Sequence, residues 1–80
     1  MELAVFIQIE TDEVAAQLFG VKKRTVSSWR RLERAPAPSQ SLNIIERSEG
    51  KIDWEGIYQP YARYQQRLAK QRLALKENGS

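Results

Sequence analysis

Hydrophobic positions recur along the chain in short runs separated by polar or turn-forming residues. The first run, residues 2–9, fits two structures. Its β-branched residues and alternating apolar positions favour a strand, whereas Leu3, Phe6 and Ile9 would share one face of a helix. The local pattern leaves both alternatives open.

The next run, residues 12–19, carries clear signals for the start and end of a helix. Thr11 can cap the free amides of the first turn, and the acids at 12 and 13 suit the positive end of the helix dipole. Gly20 tolerates the left-handed conformation that commonly ends a helix. We therefore predict a helix of about two turns from Asp12 to Phe19.

A further helix is predicted from Lys22 to Leu32. Val26 and Trp29 are three residues apart and would share its buried face, while Val21 would pack at the preceding turn. Residues 33–39 contain two prolines, so they are expected to form a turn or loop.

The remaining pattern is also helical. A helix is predicted from Ser39 to about Ser48, with its apolar residues at Leu42, Ile44 and Ile45. Asp53 can cap another short helix, and Pro60 is expected either to interrupt the chain or to restart it. Trp54, like Trp29, is expected to lie in the core.

Beyond Pro60 the residues are strong helix formers. An apolar stripe, broken by Gln71, consists of Tyr61, Tyr64, Leu68 and Leu75. This segment could dock on the rest of the domain, mediate self-association or contact DNA, and the pattern leaves the three open. Residues 77–80 are expected to fray.

Size and composition argue against catalysis. Eighty residues form one small domain, and the chain contains neither cysteine nor histidine. Disulfides and thiolate metal sites are thereby excluded, and the commonest metal ligand and general base are missing. We expect a binding protein without enzymatic activity, cofactor or metal.

The longest apolar run of the chain, residues 3–7, is too short to span a membrane, and no basic leader precedes it. A cytoplasmic protein is therefore expected.

Charge is distributed unevenly along the chain. The formal net charge is +3, but no basic residue precedes Lys22. Residues 22–34 then carry six cations against Glu33 alone, and residues 63–76 carry five more without an acid. Two concentrated basic segments are typical of a protein that binds a polyanion.

Residues 12–32 combine these features into a helix-turn-helix pattern. The steep crossing of two such helices requires a small residue, which Ala16 supplies, and the turn requires a residue tolerant of positive φ, which Gly20 supplies. Lys22, Lys23 and Arg24 would lie at the N-terminal end of the second helix, the part that normally reaches base edges in the major groove. Three later arginines are better placed for phosphates: Arg30, Arg31 and Arg34.

The stretch VAAQLFGVKKRTVSSW resembles the helix-turn-helix of phage Cro and repressor proteins, and APSQSLNIIERSEGKI resembles the helix that follows it in small Cro-like repressors. The resemblance covers about residues 5–58. It implies an all-α bundle of about five short helices, with residues 2–9 forming the first. The chain is therefore expected to divide into a Cro-like DNA-binding domain at 1–59 and a basic helical extension at 60–80.

The same resemblance implies a function. Cro-like proteins bind operator DNA, usually as homodimers on a palindrome, and act as transcriptional repressors. Base recognition would carry over to Lys22, Lys23, Arg24, Ser27, Ser28 and Arg31. Thr11 would donate to a phosphate. Lys22 departs from the small polar residue common at its position, so this lysine is open to either base or phosphate contact.

Two alternatives accompany the repressor hypothesis. Some temperate phages encode a Cro-like protein of the Apl type that also acts as an excisionase, bending attachment-site DNA and steering the integrase. The basic extension at 60–80 is compatible with that role. A protein-interaction module, such as an antirepressor or adaptor, is the alternative that predicts no salt-sensitive affinity for DNA.

Overall fold

The computed structural model describes the backbone of residues 1–78 and the side chains of residues 1–73. Within these residues the chain forms five α-helices and no strand: α1 (Leu3–Glu10), α2 (Asp12–Phe19), α3 (Lys23–Arg30), α4 (Pro38–Arg47) and α5 (Trp54–Asn78). The prediction of an all-α fold with about five helices is confirmed. Residues 79–80 of the predicted frayed end, and the side chain of Leu75 in the predicted stripe, lie outside the described residues.

The ambiguous N-terminal run is helical. Leu3, Phe6 and Ile7 are buried on the inner face of α1, which packs against both α2 and α3. The ring of Phe6 lies 5.8 Å from that of Phe19, centroid to centroid. A helix buries these three side chains on one face, and that burial outweighs the strand preference of the β-branched residues.

The predicted ends of α2 are both confirmed. The Thr11 hydroxyl accepts a hydrogen bond from the amide of Val14 at 3.3 Å, which caps the first turn. Gly20 closes the helix in the left-handed region, with φ +67° and ψ +35°. Only residues 20–22 then separate α2 from α3.

The core lies where α1, α2 and α3 meet, and α4 and α5 close it from the other side. Val26 and Trp29 of α3 are buried as predicted, with Val21 half-buried beside them. Ala15 and Ala16 are also buried, and their small side chains let α3 approach the α2 backbone closely. The core residues are Leu3, Phe6, Ile7, Ala15, Ala16, Phe19, Val26, Trp29, Ile44, Ile52 and Ile57.

The helix predicted at 22–32 is shorter in the structure. Lys22 is its N-cap, the last helical residue is Arg30, and Leu32 adopts a left-handed conformation with φ +59°. The amide of Glu33 then donates to the Ser28 carbonyl at 3.0 Å, closing the helix end. The sequence has no glycine here to mark this ending, so the prediction ran two residues too far.

The buried face of α4 differs from the apolar face that the sequence predicted. Leu42 was expected to be part of that face, but it is exposed. Ile44 is buried as predicted, and Ser41 and the C-cap Ser48 are buried beside it, because residues three and seven positions apart share one side of a helix. The hydroxyl of Ser41 lies 2.8 Å from that of Tyr58, which donates to the Pro36 carbonyl at 2.9 Å. These bonds join α4, α5 and the loop after α3.

Two predictions for the C-terminal region are wrong. Pro60 does not interrupt the helix but lies inside α5, which continues through residues 59 and 60. Ile57 and Pro60 are both buried, and this packing holds the helix together across the proline. Trp54 is not in the core: it is 45% exposed and stacks on Tyr58, with ring centroids 5.9 Å apart.

The start of α5 is fixed as predicted. The Asp53 carboxylate accepts a hydrogen bond from the amide of Gly56 at 2.7 Å. Gly56 packs directly under the N-terminal residue, where any side chain would collide with the Met1 carbonyl. Although α5 is 25 residues long, no helix within residues 1–78 is both long enough and apolar enough to cross a membrane.

Candidate nucleic-acid interface

One face of α3 is buried and the opposite face is open to solvent. Val26 and Trp29 hold the inner face on α1 and α2. Arg24, Ser28 and Arg31 follow one another at four- and three-residue spacing on the outer side, where both arginines are exposed and Ser28 is half-buried. The sequence-predicted residues Arg24, Ser28 and Arg31 therefore share one accessible surface.

The N-terminal end of α3 concentrates positive charge. Lys22, Lys23 and Arg24 are exposed, and no acidic residue lies in the first turn. The amides of a helix N-terminus are already electropositive, so three cations there oppose the arrangement that stabilises an isolated helix. A bound anion would relieve this repulsion, which makes the end of α3 well suited to a phosphate or to a base edge rich in acceptors.

A second cluster connects α3 to the beginning of α2. The Asp12 carboxylate accepts hydrogen bonds from Nε and Nη2 of Arg30, at 2.8 and 3.1 Å. It also accepts one from the Ser27 hydroxyl at 2.6 Å. One acid at the start of α2 therefore binds two side chains one turn apart on α3, and this fixes the rotation of α3 about its axis.

This cluster has a defined protonation behaviour. Hydrogen bonding from Arg30 is the main reason that the pKa of Asp12 lies below its ordinary value. The bond from Ser27 acts in the same direction, as do the charges of Arg30 and Lys23, while burial opposes them. The same bond raises the pKa of Arg30. Both groups are charged at neutral pH, so the cluster is intact there.

The lowered pKa of Asp12 predicts a pH-dependent part of the stability. The folded state favours the charged form of Asp12, so this carboxylate adds to the free energy of unfolding. Its contribution is complete above the pKa of the unfolded state, about 3.9, and is lost as pH falls through the lower pKa of the folded state. We expect Asp12→Asn to lower the thermal midpoint at pH 7 and to converge with wild type at the acid end. Circular dichroism melts between pH 2 and pH 7 measure the difference.

Glu13→Gln is the matched control, because Glu13 is the exposed neighbour of Asp12 in the first turn of α2. Its melting curve should stay close to wild type throughout the pH range. A constant difference between Asp12→Asn and wild type down to pH 2 would contradict the assigned role of the carboxylate.

The nine site residues predicted from the sequence differ in the partners that their side chains contact. Ser27 and Arg30 are bound to Asp12 and face α2, although the Arg30 side chain keeps 36% exposure. The Ser28 hydroxyl donates to the Arg24 carbonyl at 3.2 Å, which leaves its oxygen able to accept. Arg31 forms a loose, exposed ion pair with Glu33 at 3.5 Å.

The remaining predicted residues lie at or near the ends of α2 and α3. Arg34 is exposed in the loop that follows α3, and Lys22 and Lys23 are exposed at its start. Thr11 lies at the N-terminal end of α2, where its oxygen is used as a cap and its hydroxyl hydrogen is free to donate. These four residues are thus distributed over the N-cap of α2, the connection between α2 and α3, the first residue of α3 and the loop after it.

Sequence reasoning missed the role of Asp12, which it interpreted only as a favourable charge for the helix dipole. Asp12 and Arg30 are separated by 18 residues, and no helical spacing relates them. The pairing depends on how α2 and α3 cross, so the only signal in the sequence was an acid and a base on two adjoining helices. Asn43 was missed for the same reason: its side-chain amide donates to the Phe19 carbonyl at 2.8 Å.

A groove of about 330 Å³ lies elsewhere on the surface. Phe6, Val14 and Leu18 form its apolar lining, and charged residues near the end of α4 form its rim. None of its lining residues belongs to α3, so the groove does not contribute to the candidate interface.

Comparison with known proteins adds no relative: no protein-family model, curated protein or solved structure matches this chain.

Proposed function

We propose that this protein binds double-stranded DNA sequence-specifically, with α2, residues 20–22 and α3 acting as a helix-turn-helix. The observation that carries the proposal is the outer face of α3, where exposed cations surround short polar side chains while the inner face is anchored in the core. Such a helix fits the width of the major groove, and its N-terminal half presents donors toward base edges.

Within this proposal the residues take different roles. Arg24 is the leading base-reading residue, because an arginine can donate two hydrogen bonds to guanine, and Ser28 lies next to it. Lys22 and Lys23 contact either bases or phosphates at the helix start. Arg31, Arg34 and Thr11 serve the phosphate backbone, with Arg31 also within the recognition set that the Cro resemblance implies.

Ser27 and Arg30 are proposed to act mainly through Asp12. Their hydrogen bonds to one carboxylate hold α3 in a fixed rotation, so that Arg24 meets the groove at a defined angle. The exposed part of Arg30 can still approach a phosphate. This assignment moves both residues from direct DNA contact toward positioning.

The biological role that we favour is a Cro-type transcriptional repressor of a phage or prophage, in the cytoplasm of a bacterial host. The resemblance of residues 14–29 to Cro and repressor helix-turn-helix segments supports it, and this resemblance implies a homodimer on a palindromic operator. Protected palindromes at promoters, mapped by footprinting on the surrounding genome, are the expected result.

An excisionase role is the second candidate, and the long basic helix α5 is the observation that favours it. A protein of this type would protect several direct repeats within an attachment site, bend the DNA strongly and contact an integrase. Circular-permutation gel shifts of the protected fragments measure the bend and separate the two roles.

The primary test is binding to DNA itself. Duplexes selected by the protein from a randomised pool should bind far more tightly than random duplexes of equal length in fluorescence anisotropy, and the affinity should fall steeply with salt. Absence of binding to any duplex at low salt would overturn the proposal and favour a protein-interaction module.

A further inference from the structure

The second half of α5 leaves the core. Beyond Pro60, no residue up to 73 is fully buried, although Tyr61, Tyr64 and Leu68 remain half-buried. The helix packs on α1 and α4 through its earlier part, and the molecule is 49 Å long but only 21 Å across. Residues 61–73 therefore form a mostly exposed helical surface.

This surface carries charge of one sign. Between Glu55 and Glu77 the sequence contains no acidic residue. Arg63, Arg67 and Lys70 follow at four- and three-residue spacing, so they lie on one side of α5, which we call the α5 basic face. Arg63 pairs weakly with Glu2 at 3.5 Å, and within the described side chains no ion pair reaches Arg67, Lys70 or Arg72.

The α5 basic face is electrostatically unfavourable in the isolated protein. Like charges four or three residues apart repel one another on a helix, whereas a nearby acid would stabilise it. Between Glu55 and Glu77, α5 itself supplies no such acid. A polyanion placed along the face would replace the repulsion with attraction and release its own counterions.

We propose that the α5 basic face is a second phosphate-binding surface, which lies on the backbone of the duplex that α3 reads. This inference rests on the proposed DNA-binding function. A second copy of the chain is the less favourable occupant, because two such faces would bring cations of the same sign together. Exposed arginine and lysine side chains on this face would bind the phosphates of the DNA backbone, and such contacts do not distinguish one base sequence from another.

The length of α5 is suitable for this role. From Arg63 to Lys70 the α5 basic face rises about 10 Å, which corresponds to about three phosphates along one strand of duplex DNA at roughly 3.4 Å of axis each. Because α5 packs on α1 and α4 and not on α3 within the described residues, these phosphates would lie outside the segment that α3 reads. The contribution of the α5 basic face should appear as additional salt dependence and as a wider footprint.

The test compares two double variants that each remove one arginine and one lysine. Arg67→Gln with Lys70→Gln neutralises the α5 basic face, and Arg47→Gln with Lys51→Gln removes the same charge from exposed positions near the end of α4. Glutamine keeps a helix propensity close to that of arginine and lysine. Circular dichroism first establishes that both variants remain folded.

Binding to the selected duplex is then measured by anisotropy from 50 to 200 mM salt. Each lost phosphate contact lowers the slope of log K against log salt by about 0.9, so the α5 variant should lose about 1.8. Wild type should consequently weaken about tenfold more than this variant over that salt range. The preference for selected over random DNA should be retained, and the hydroxyl-radical footprint should become narrower.

An unchanged slope in the α5 variant, with wild type still binding specifically, would overturn this inference and leave the proposed function intact. Equal slope losses in both variants would also overturn it, because the effect would then reflect net charge alone. A change in self-association on sedimentation without a change in slope would assign the face to a protein partner instead. If wild type bound no DNA, both proposals would fail together.

Discussion

Trp29→Ala is expected to cost about 3–5 kcal/mol of unfolding free energy. The indole is 3% exposed and lies between α3 and the helices that α3 packs against. Removing it leaves a cavity that short helices cannot easily fill. A domain of this length has a total stability of roughly 4–12 kcal/mol, so the substitution removes a large part of it. The thermal midpoint should fall by about 12 °C or more.

Trp54→Ala is the matched control, because the chain contains just these two tryptophans. Trp54 is 45% exposed and loses mainly its stacking on Tyr58, so its replacement should cost no more than about 1 kcal/mol. Urea unfolding followed by circular dichroism measures both. Equal costs at the two positions would contradict the different burial of the two side chains.

Arg24→Ala is expected to have the largest effect on sequence recognition. A lost bidentate contact to guanine is worth about 1–3 kcal/mol, which corresponds to a loss of about 5- to 150-fold in affinity for the selected duplex. Affinity for random duplex should change much less, because guanine seldom stands at the position where Arg24 could donate both hydrogen bonds. Arg24 is exposed in the first turn of α3, so the fold should tolerate the change.

Arg34→Ala provides the comparison within the same basic segment. Arg34 lies in the loop after α3, where we propose that it contacts a phosphate. Its loss should weaken binding to selected and random duplexes alike and should flatten the salt dependence by about 0.9 in slope. If Arg24→Ala and Arg34→Ala weakened both duplex types equally, the base-reading role of Arg24 would be lost.

These experiments also separate contact from positioning on α3. The Asp12 cluster holds the helix through Ser27 and Arg30, whereas Arg24 and Ser28 face outward. Disrupting the cluster should therefore affect stability and DNA affinity together. Changes on the outer face should affect DNA affinity alone.

Local sequence determined those helix ends that are formed by capping residues close by in the chain. For α2, the hydroxyl of Thr11 and the conformational freedom of Gly20 act over a few residues, so both ends could be predicted. Asp53 marked the start of α5 in the same way. The buried positions Val26 and Trp29 followed from helical spacing. The concentration of cations on residues 22–34 was likewise readable from the sequence.

Tertiary structure decided what depends on neighbours distant in the chain. Burial against α2 and α3 makes residues 3–10 helical, and packing of Ile57 and Pro60 carries α5 through a proline. The exposure of Leu42 and Trp54 depends on how each helix is rotated against the core. The pairing of Asp12 with Arg30 requires a particular crossing of α2 and α3, because hydrogen bonds between helices depend on relative position and no residue spacing encodes that position.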